Sequence, residues 1–224
     1  FANSSYTTVV ITAVYSAFFT EVVVPAGSTA RDSYWSLAMV LSTSIALVLS
    51  PLAGAISDKR GQKKPYLLGS TIVCALATAG LGLVGAGDVA LGIGIVVVGN
   101  AAFMLSETFC GSFLPELSTP ENMGKISGLG WGLGYFGGLS SLALVALILG
   151  DRPMSEATEP IHHAMFATGA FFMVAALPTL ILVRDRGRPQ PGFEAASLGT
   201  LTKAGFRELG GALIVPDRPP EPPA

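Results

Sequence analysis

The amino-acid sequence predicts an all-α membrane protein with six membrane-spanning helices. Half of its residues are hydrophobic, only 12% are charged, and the mean hydropathy is +0.59. A soluble domain of this size carries about twice that charged fraction. A bilayer core holds no water to solvate the backbone, so each apolar stretch must form a helix that satisfies its own hydrogen bonds. A soluble helical bundle would need polar helix faces, which these stretches lack.

Six apolar stretches fill the predicted membrane domain, residues 1–183. Each has roughly the 20 residues that a span requires, within a tolerance of about 17–25. The chain begins with Phe1 and not Met, and no charged segment precedes the first stretch. We therefore expect a fragment that lacks its true N-terminus. The predicted spans are 4–24, 35–56, 66–87, 89–114, 126–150 and 164–183.

The basic residues sort between the two sides of the membrane. Eight Lys and Arg residues lie on one side, in the loops after the second and fourth spans and in the segment after the sixth. The loops on the opposite side carry only Arg31 and Arg152. Positive loops stay cytoplasmic. We therefore expect both termini in the cytoplasm of an integral, multi-pass protein of the cell inner or plasma membrane, or of a vacuolar membrane in a fungus.

After residue 183 the composition changes. Residues 184–224 are predicted to be a cytoplasmic linker, with a possible amphipathic helix at 195–213, where leucines recur at helical spacing. The end, 215–224, is proline-rich and predicted to be extended or disordered. A regulatory or membrane-surface role is the alternative to a plain connector.

A short basic loop between the second and third spans has a specific spacing. Glycine is followed after three residues by aspartate, two basic residues and glycine, then by one residue and two lysines. This pattern resembles the signature loop between helices two and three of the major facilitator superfamily. A generic cytoplasmic loop would explain the basic residues but not the Gly–Asp–Gly spacing. The resemblance implies a conformational gating loop that contacts a second half of the protein, comprising Gly54, Asp58, Lys59, Arg60, Gly61, Lys63 and Lys64.

The residue types in this loop suit its place. Gly54 would let the second helix approach a neighbour closely, and Gly61 would permit a tight turn. Asp58, at a helix end, could accept backbone donors or pair with a cation. The lysines and Arg60 would anchor the loop to anionic lipid headgroups.

A second motif region narrows the resemblance. Residues 113–117 read Phe-Leu-Pro-Glu-Leu, and 124–138 form a run of glycines with one tryptophan and one tyrosine. The region is similar to helices four to five of the vacuolar effluxer-like branch, which includes the autophagy-related amino-acid effluxers of fungi and many bacterial relatives. The start, Ala-Asn-Ser-Ser-Tyr at 2–6, is similar to that branch's entry into its first helix.

This resemblance implies the fold and the activity. The fold would be the N-terminal half of a major facilitator, six helices in two inverted three-helix repeats, where the family has about twelve spans. The function would be secondary transport of a small polar solute by alternating access, with amino acids the class that the resemblance implies. The implied partners are the lipid bilayer, the solute, and the missing C-terminal six-helix half or a second copy. A homodimer and a non-transporting scaffold remain as alternatives.

The glycine run has a periodicity of its own. Gly130, Gly134 and Gly138 recur every fourth residue and share one helix face. Such a face permits backbone contact with another helix. We leave open whether this contact is static packing or allows the fifth helix to slide during a transport cycle.

Polar residues inside the spans are the candidates for solute or proton binding. Ionisable groups at this depth are energetically costly and tend to be functional, and only Glu107 lies well within a span. It could couple transport to protons or bind solute, pair with Lys59 or Arg60 as a gate (Glu116 competes for that role), or reach to the interface. The other candidates are Asn100, Asn3, Tyr6, Trp131 and Tyr135. Trp131 could instead be an interfacial anchor.

The sequence offers nothing for catalysis or a cofactor. His162 and His163 have no third metal ligand at suitable spacing. An intramembrane serine protease would need a Gly-x-Ser-Gly motif, but Lys125 precedes Ile126 and Ser127. We expect no enzyme activity, no metal, no cofactor and no nucleic-acid partner.

Overall fold

Six long helices form the described part of the molecule. The structure, a computed structural model, describes residues 1–185 and residue 200. Every regular element in those residues is helical, so the predicted all-α fold with six spans is confirmed. The predicted tail helix and proline-rich end lie outside the described residues, apart from Thr200. The six helices are α1 (Ala2–Val23), α2 (Arg31–Arg60), α3 (Lys64–Leu83), α4 (Val89–Leu117), α5 (Met123–Leu149) and α6 (Thr158–Leu182).

Most helices extend beyond the predicted apolar stretches. The second was expected to cover 35–56, yet α2 runs from Arg31 to Arg60. Its helical hydrogen bonds continue through polar ends that hydropathy does not detect. The third span was expected to reach residue 87, but α3 ends at Leu83, and the turn that follows places Gly87 at φ +90°. Glycine adopts that backbone conformation without the penalty of a side chain.

The outer faces of the helices are apolar. The side chains of Leu47, Leu147 and Leu182 are 75%, 84% and 76% exposed, and many others on the same faces are similar. A soluble monomer rarely exposes large contiguous apolar surface. Lipid tails can cover this surface, as expected for an integral multi-pass membrane protein.

Helix α1 contributes much of the protein core. Tyr6, Tyr15, Phe18 and Phe19 are fully buried. The backbone of α1 alternates between α-turns and two π-helical segments, the first of them Thr7–Ala13. Turns of this kind are rare and occur often at functional sites. No sequence pattern indicated them.

The helix packing has an internal symmetry. Helix α1 packs against α5 and α6, while α4 packs against α2 and α3. If α1, α2 and α3 are exchanged in order with α4, α5 and α6, the contacts of α1 become those of α4. The contact between α3 and α6 is unchanged by this exchange. Since successive helices run in opposite directions, α1 and α4 are antiparallel. This is the arrangement of two inverted three-helix repeats.

The α3–α6 contact at the centre of this symmetry depends on Gly169. A Cβ atom there would lie 2.8 Å from the carbonyl oxygen of Ala75 and 3.0 Å from the backbone nitrogen of Ala79. Neither backbone atom can move away without bending α3. Only glycine therefore fits at this crossing, and a single glycine in an apolar span gave no signal in the sequence.

Candidate functional site

A cavity of about 560 Å³ opens between the helices at the end of the molecule that carries the basic loop. Its walls come from α1, α3, α4, α5 and α6. Its volume lies in the range of about 300–1,000 Å³ that is usual for small-molecule sites. The polar side chains on its wall belong to Asn3, Ser4, Thr71, Ser106, Glu107, Ser127, Trp131 and Thr179.

Glu107 is the charged side chain among the residues that line this cavity. It is exposed, and it lies on α4 one turn after the partly buried Phe103 and next to the buried Ser106. Ser106 Oγ and Thr71 Oγ1 are 3.4 Å apart and form a hydroxyl pair between α4 and α3 on the same wall. The wall therefore combines one carboxylate with several hydroxyl groups.

Two further predicted residues line the cavity, Asn3 from the start of α1 and Trp131 from the third turn of α5. The side chain of Trp131 is 71% exposed. Its indole is available both to a solute in the cavity and to lipid beside it. The structure thus brings Glu107, Asn3 and Trp131 to one cavity.

The other three candidates lie elsewhere. Asn100 is buried, and its Nδ2 donates to Ser42 Oγ at 2.7 Å, so it joins α4 to α2. Tyr6 is fully buried and stacks on Phe103 with ring centroids 5.2 Å apart. Tyr135 is 73% exposed on the outside of α5 and is not among the cavity-lining residues. These three residues are not among those that line the cavity, and a role for them in solute or proton binding stays a prediction.

The basic loop forms a compact turn at the end of α2. Gly61 has φ +61°, the left-handed conformation that commonly ends a helix. Its N–H donates to the carbonyl of Asp58, and the N–H of Gln62 donates to the carbonyl of Ser57. These two bonds satisfy carbonyls at the helix end. Gly54, in contrast, has open space within 4 Å of its Cβ position, so the described residues provide no close neighbour for it.

Lys63 joins the loop to the end of α4. Its Nζ donates to Glu116 Oε1 at 2.9 Å and to the carbonyl of Ser112 at 3.2 Å, with Asp58 Oδ1 3.9 Å away. The sequence offered Glu107 or Glu116 as the acidic partner of Lys59 or Arg60. Glu116 is paired with Lys63 of the same loop. Lys59 is only 2% exposed, so it does not present its amine freely to headgroups as expected.

Asp185, just after α6, joins the same cluster. Its Oδ1 accepts the backbone N–H groups of Lys63 and Lys64 at 2.8 and 2.9 Å. These donors lie at the start of α3, where helical N–H groups lack partners within the helix. The start of the linker is thereby joined to the basic loop. No local pattern could predict this contact, because the two segments are more than 120 residues apart.

Two of the three predicted glycines lie against α1. A Cβ at Gly134 would be 2.9 Å from Ser4 Oγ, and a Cβ at Gly138 would be 2.6 Å from Thr8 Oγ1. Gly137, which the four-residue spacing did not include, lies against the backbone of Phe1. Gly130 has open space within 4 Å and lines the cavity instead. The expected close approach therefore begins at Gly134, which also lines the cavity, and does not include Gly130.

Comparison with known proteins identifies the family. A model of the family described as "Vacuole effluxer Atg22 like" matches residues 19–215. A curated relative from Bacillus subtilis, the uncharacterized MFS-type transporter YxiO, is 27% identical over 191 residues, which are 83% of this chain and 45% of the relative. The chain thus spans about half the length of that relative. No solved structure matches the chain with significance. The resemblance read from the basic loop and the glycine run is confirmed: the chain belongs to the vacuole effluxer Atg22-like family.

Proposed function

We propose that this chain is the N-terminal six-helix half of a secondary transporter, which moves a small polar solute by alternating access. The observation that carries the proposal is the cavity of a six-helix membrane unit with an ionisable group, Glu107, on its wall. Ionisable groups at membrane depth commonly mark solute or proton pathways. Family membership supports the same function, since the family is named for effluxers. Transport, and not enzyme catalysis, is the activity we propose.

A second six-helix unit would complete the transporter. The curated relative is about twice as long as the matched region, which leaves room for such a unit. Alternating access would then arise by rocking the two units against each other. A homodimer of this chain and a non-transporting scaffold are the alternatives. The DNA after the codon for Ala224 discriminates between them, because six further spans in frame favour the complete transporter and a stop codon favours the alternatives.

The orientation follows from the basic residues. We propose that the basic loop, both termini and the linker 184–224 face the cytoplasm, as positive loops do. The cavity then opens towards the cytoplasm. The membrane would be the inner or plasma membrane of a bacterium, or the vacuolar membrane of a fungus.

We propose that the basic loop acts as the conformational gate. The Lys63–Glu116 pair and the Asp185 cap hold the loop to α4 and to the end of α6 within this half. Gly54 and Asp58 are not closely packed within this half. Gly54 has open space around its Cβ position, and the side chain of Asp58 is 62% exposed. They are therefore available to contact the second unit in one state of the cycle.

The test is uptake by the full-length gene product in proteoliposomes. The panel contains amino acids, sugars and dicarboxylates, with empty liposomes as the control. We expect protein-dependent, saturable uptake and counterflow of at least one amino acid. Absence of uptake and counterflow for every small polar solute, by protein that is folded and inserted, would contradict the proposed function.

A further inference from the structure

The charge on the cavity wall indicates which end of a solute it can hold. Glu107 is the charged side chain among the lining residues, and no Lys or Arg of residues 1–185 lines the cavity with it. In a low-dielectric environment a carboxylate stabilises a cation and repels another carboxylate. This wall therefore favours the positive end of a solute.

Lys63, a cation of the basic loop, does not offset this charge. The Nζ of Lys63 is bonded to Glu116 Oε1 and to the carbonyl of Ser112, and Lys63 is not a lining residue. The other charge beside the wall is the amino group of Phe1, which is ionised only where the chain starts at that residue. Any preceding residue would convert it to a neutral amide, so the experiment below uses the full-length protein.

The neutral groups of the wall suit an ammonium group as well. The indole of Trp131 can hold a cation against its face. The hydroxyls of Ser106, Thr71, Ser127 and Thr179 have lone pairs that can accept N–H donors.

On this basis we propose that the cavity binds the ammonium group of an amine-bearing solute, with Glu107 as its counter-ion and Trp131 beside it. The proposal rests on the proposed transport function and specifies its substrate class. A carboxylate on the same solute, as in an amino acid, would be held outside this cavity. An amine without a carboxylate should therefore still bind, whereas an acid without an ammonium group should not.

Competition with matched analogues tests this directly. For the amino acid that gives the fastest counterflow, the competitors are its decarboxylated amine and its deaminated acid. We expect the amine to inhibit counterflow within about tenfold of the amino acid's own potency. The acid should be weaker by about a hundredfold or more, because a hundredfold corresponds to about 2.8 kcal/mol, within the range of a lost hydrogen bond to a charged group. The inference would be overturned if the amine failed to compete, if the acid competed equally, or if only solutes without an ammonium group were transported. Each of these results would still leave transport itself established.

Variants of Glu107 separate ammonium binding from proton coupling. Counterflow needs no pH gradient, so a carboxylate that only carries protons is dispensable in it. We expect Glu107→Gln to lose counterflow and Glu107→Asp, which keeps the charge, to retain a measurable part of it. Size-exclusion profiles in detergent show whether each variant is folded. Full counterflow by folded Glu107→Gln protein would overturn the proposal.

Discussion

Glu107→Gln is expected to abolish uptake driven by a pH gradient in the full-length protein. Glutamine has nearly the shape of glutamate but cannot bind and release a proton, and Glu107 lines the cavity from within α4. A proton and an ammonium group would compete for this one carboxylate, which would couple their movements. The substitution should not impair folding, because a neutral side chain is cheaper to place in a span than an ionisable one, whose cost is about 2.5–3.5 kcal/mol at the helix centre on insertion scales.

Glu121→Gln is the matched control for this experiment. Glu121 lies in the exposed loop before α5, and a hydrogen bond with Thr119 lowers the pKa of its carboxyl. It therefore stays ionised over the neutral pH range of the assay and cannot serve as the proton carrier. We expect the control to take up solute like the unmodified protein, in proteoliposomes with and without an imposed pH gradient. Unchanged uptake and pH dependence in Glu107→Gln would remove Glu107 as the coupling site.

Gly169→Leu is expected to disrupt the six-helix fold. Its Cβ would lie 2.8 Å from the carbonyl oxygen of Ala75 and 3.0 Å from the nitrogen of Ala79, and the rest of the leucine side chain would force α3 and α6 apart. Overpacking commonly destabilises a protein by about 1–3 kcal/mol, and we expect the upper end here because backbone atoms block the side chain. Thermal unfolding in detergent and the yield of monodisperse protein measure the effect.

Gly94→Leu provides the comparison for that variant. Gly94 is exposed on α4, with open space within 4 Å of its Cβ position. Both substitutions gain the same helix propensity and the same hydrophobicity, and only the space available differs. Equal melting temperatures for the two variants would show that the α3–α6 contact is not where the structure places it.

The number and nature of the helices could be predicted, because span length and hydropathy are properties of single segments. The cavity could be predicted only in part. Asn100 and Glu107 are seven residues apart and share one face of α4, yet Asn100 bonds to Ser42 while Glu107 lines the cavity. Asn100 meets a side chain of α2 and is buried, whereas Glu107, two turns further along α4, is exposed. A sequence pattern specifies a face but not which neighbour covers it.

The same limit explains the remaining differences. Gly130 shares the spacing of Gly134 and Gly138, but it has open space around it where they lie against α1. Asp185 caps α3 from a distant part of the chain, and local sequence carries no sign of such a partner. The contacts of Gly130 and Asp185 are determined by how the helices pack together and not by the sequence of any single helix.

Cysteine labelling of the two sides of the membrane tests the account most directly. In full-length protein with Cys74 and Cys110 replaced by alanine, single cysteines are placed at the exposed Gln62, in the basic loop, and at the exposed Ser155, in the loop before α6. In intact bacterial cells, a membrane-impermeant maleimide should label Ser155→Cys at once and Gln62→Cys only after permeabilisation. The proposed topology would be contradicted if Gln62→Cys were labelled from outside intact cells. The membrane assignment would be contradicted if the protein were recovered in the soluble fraction without detergent.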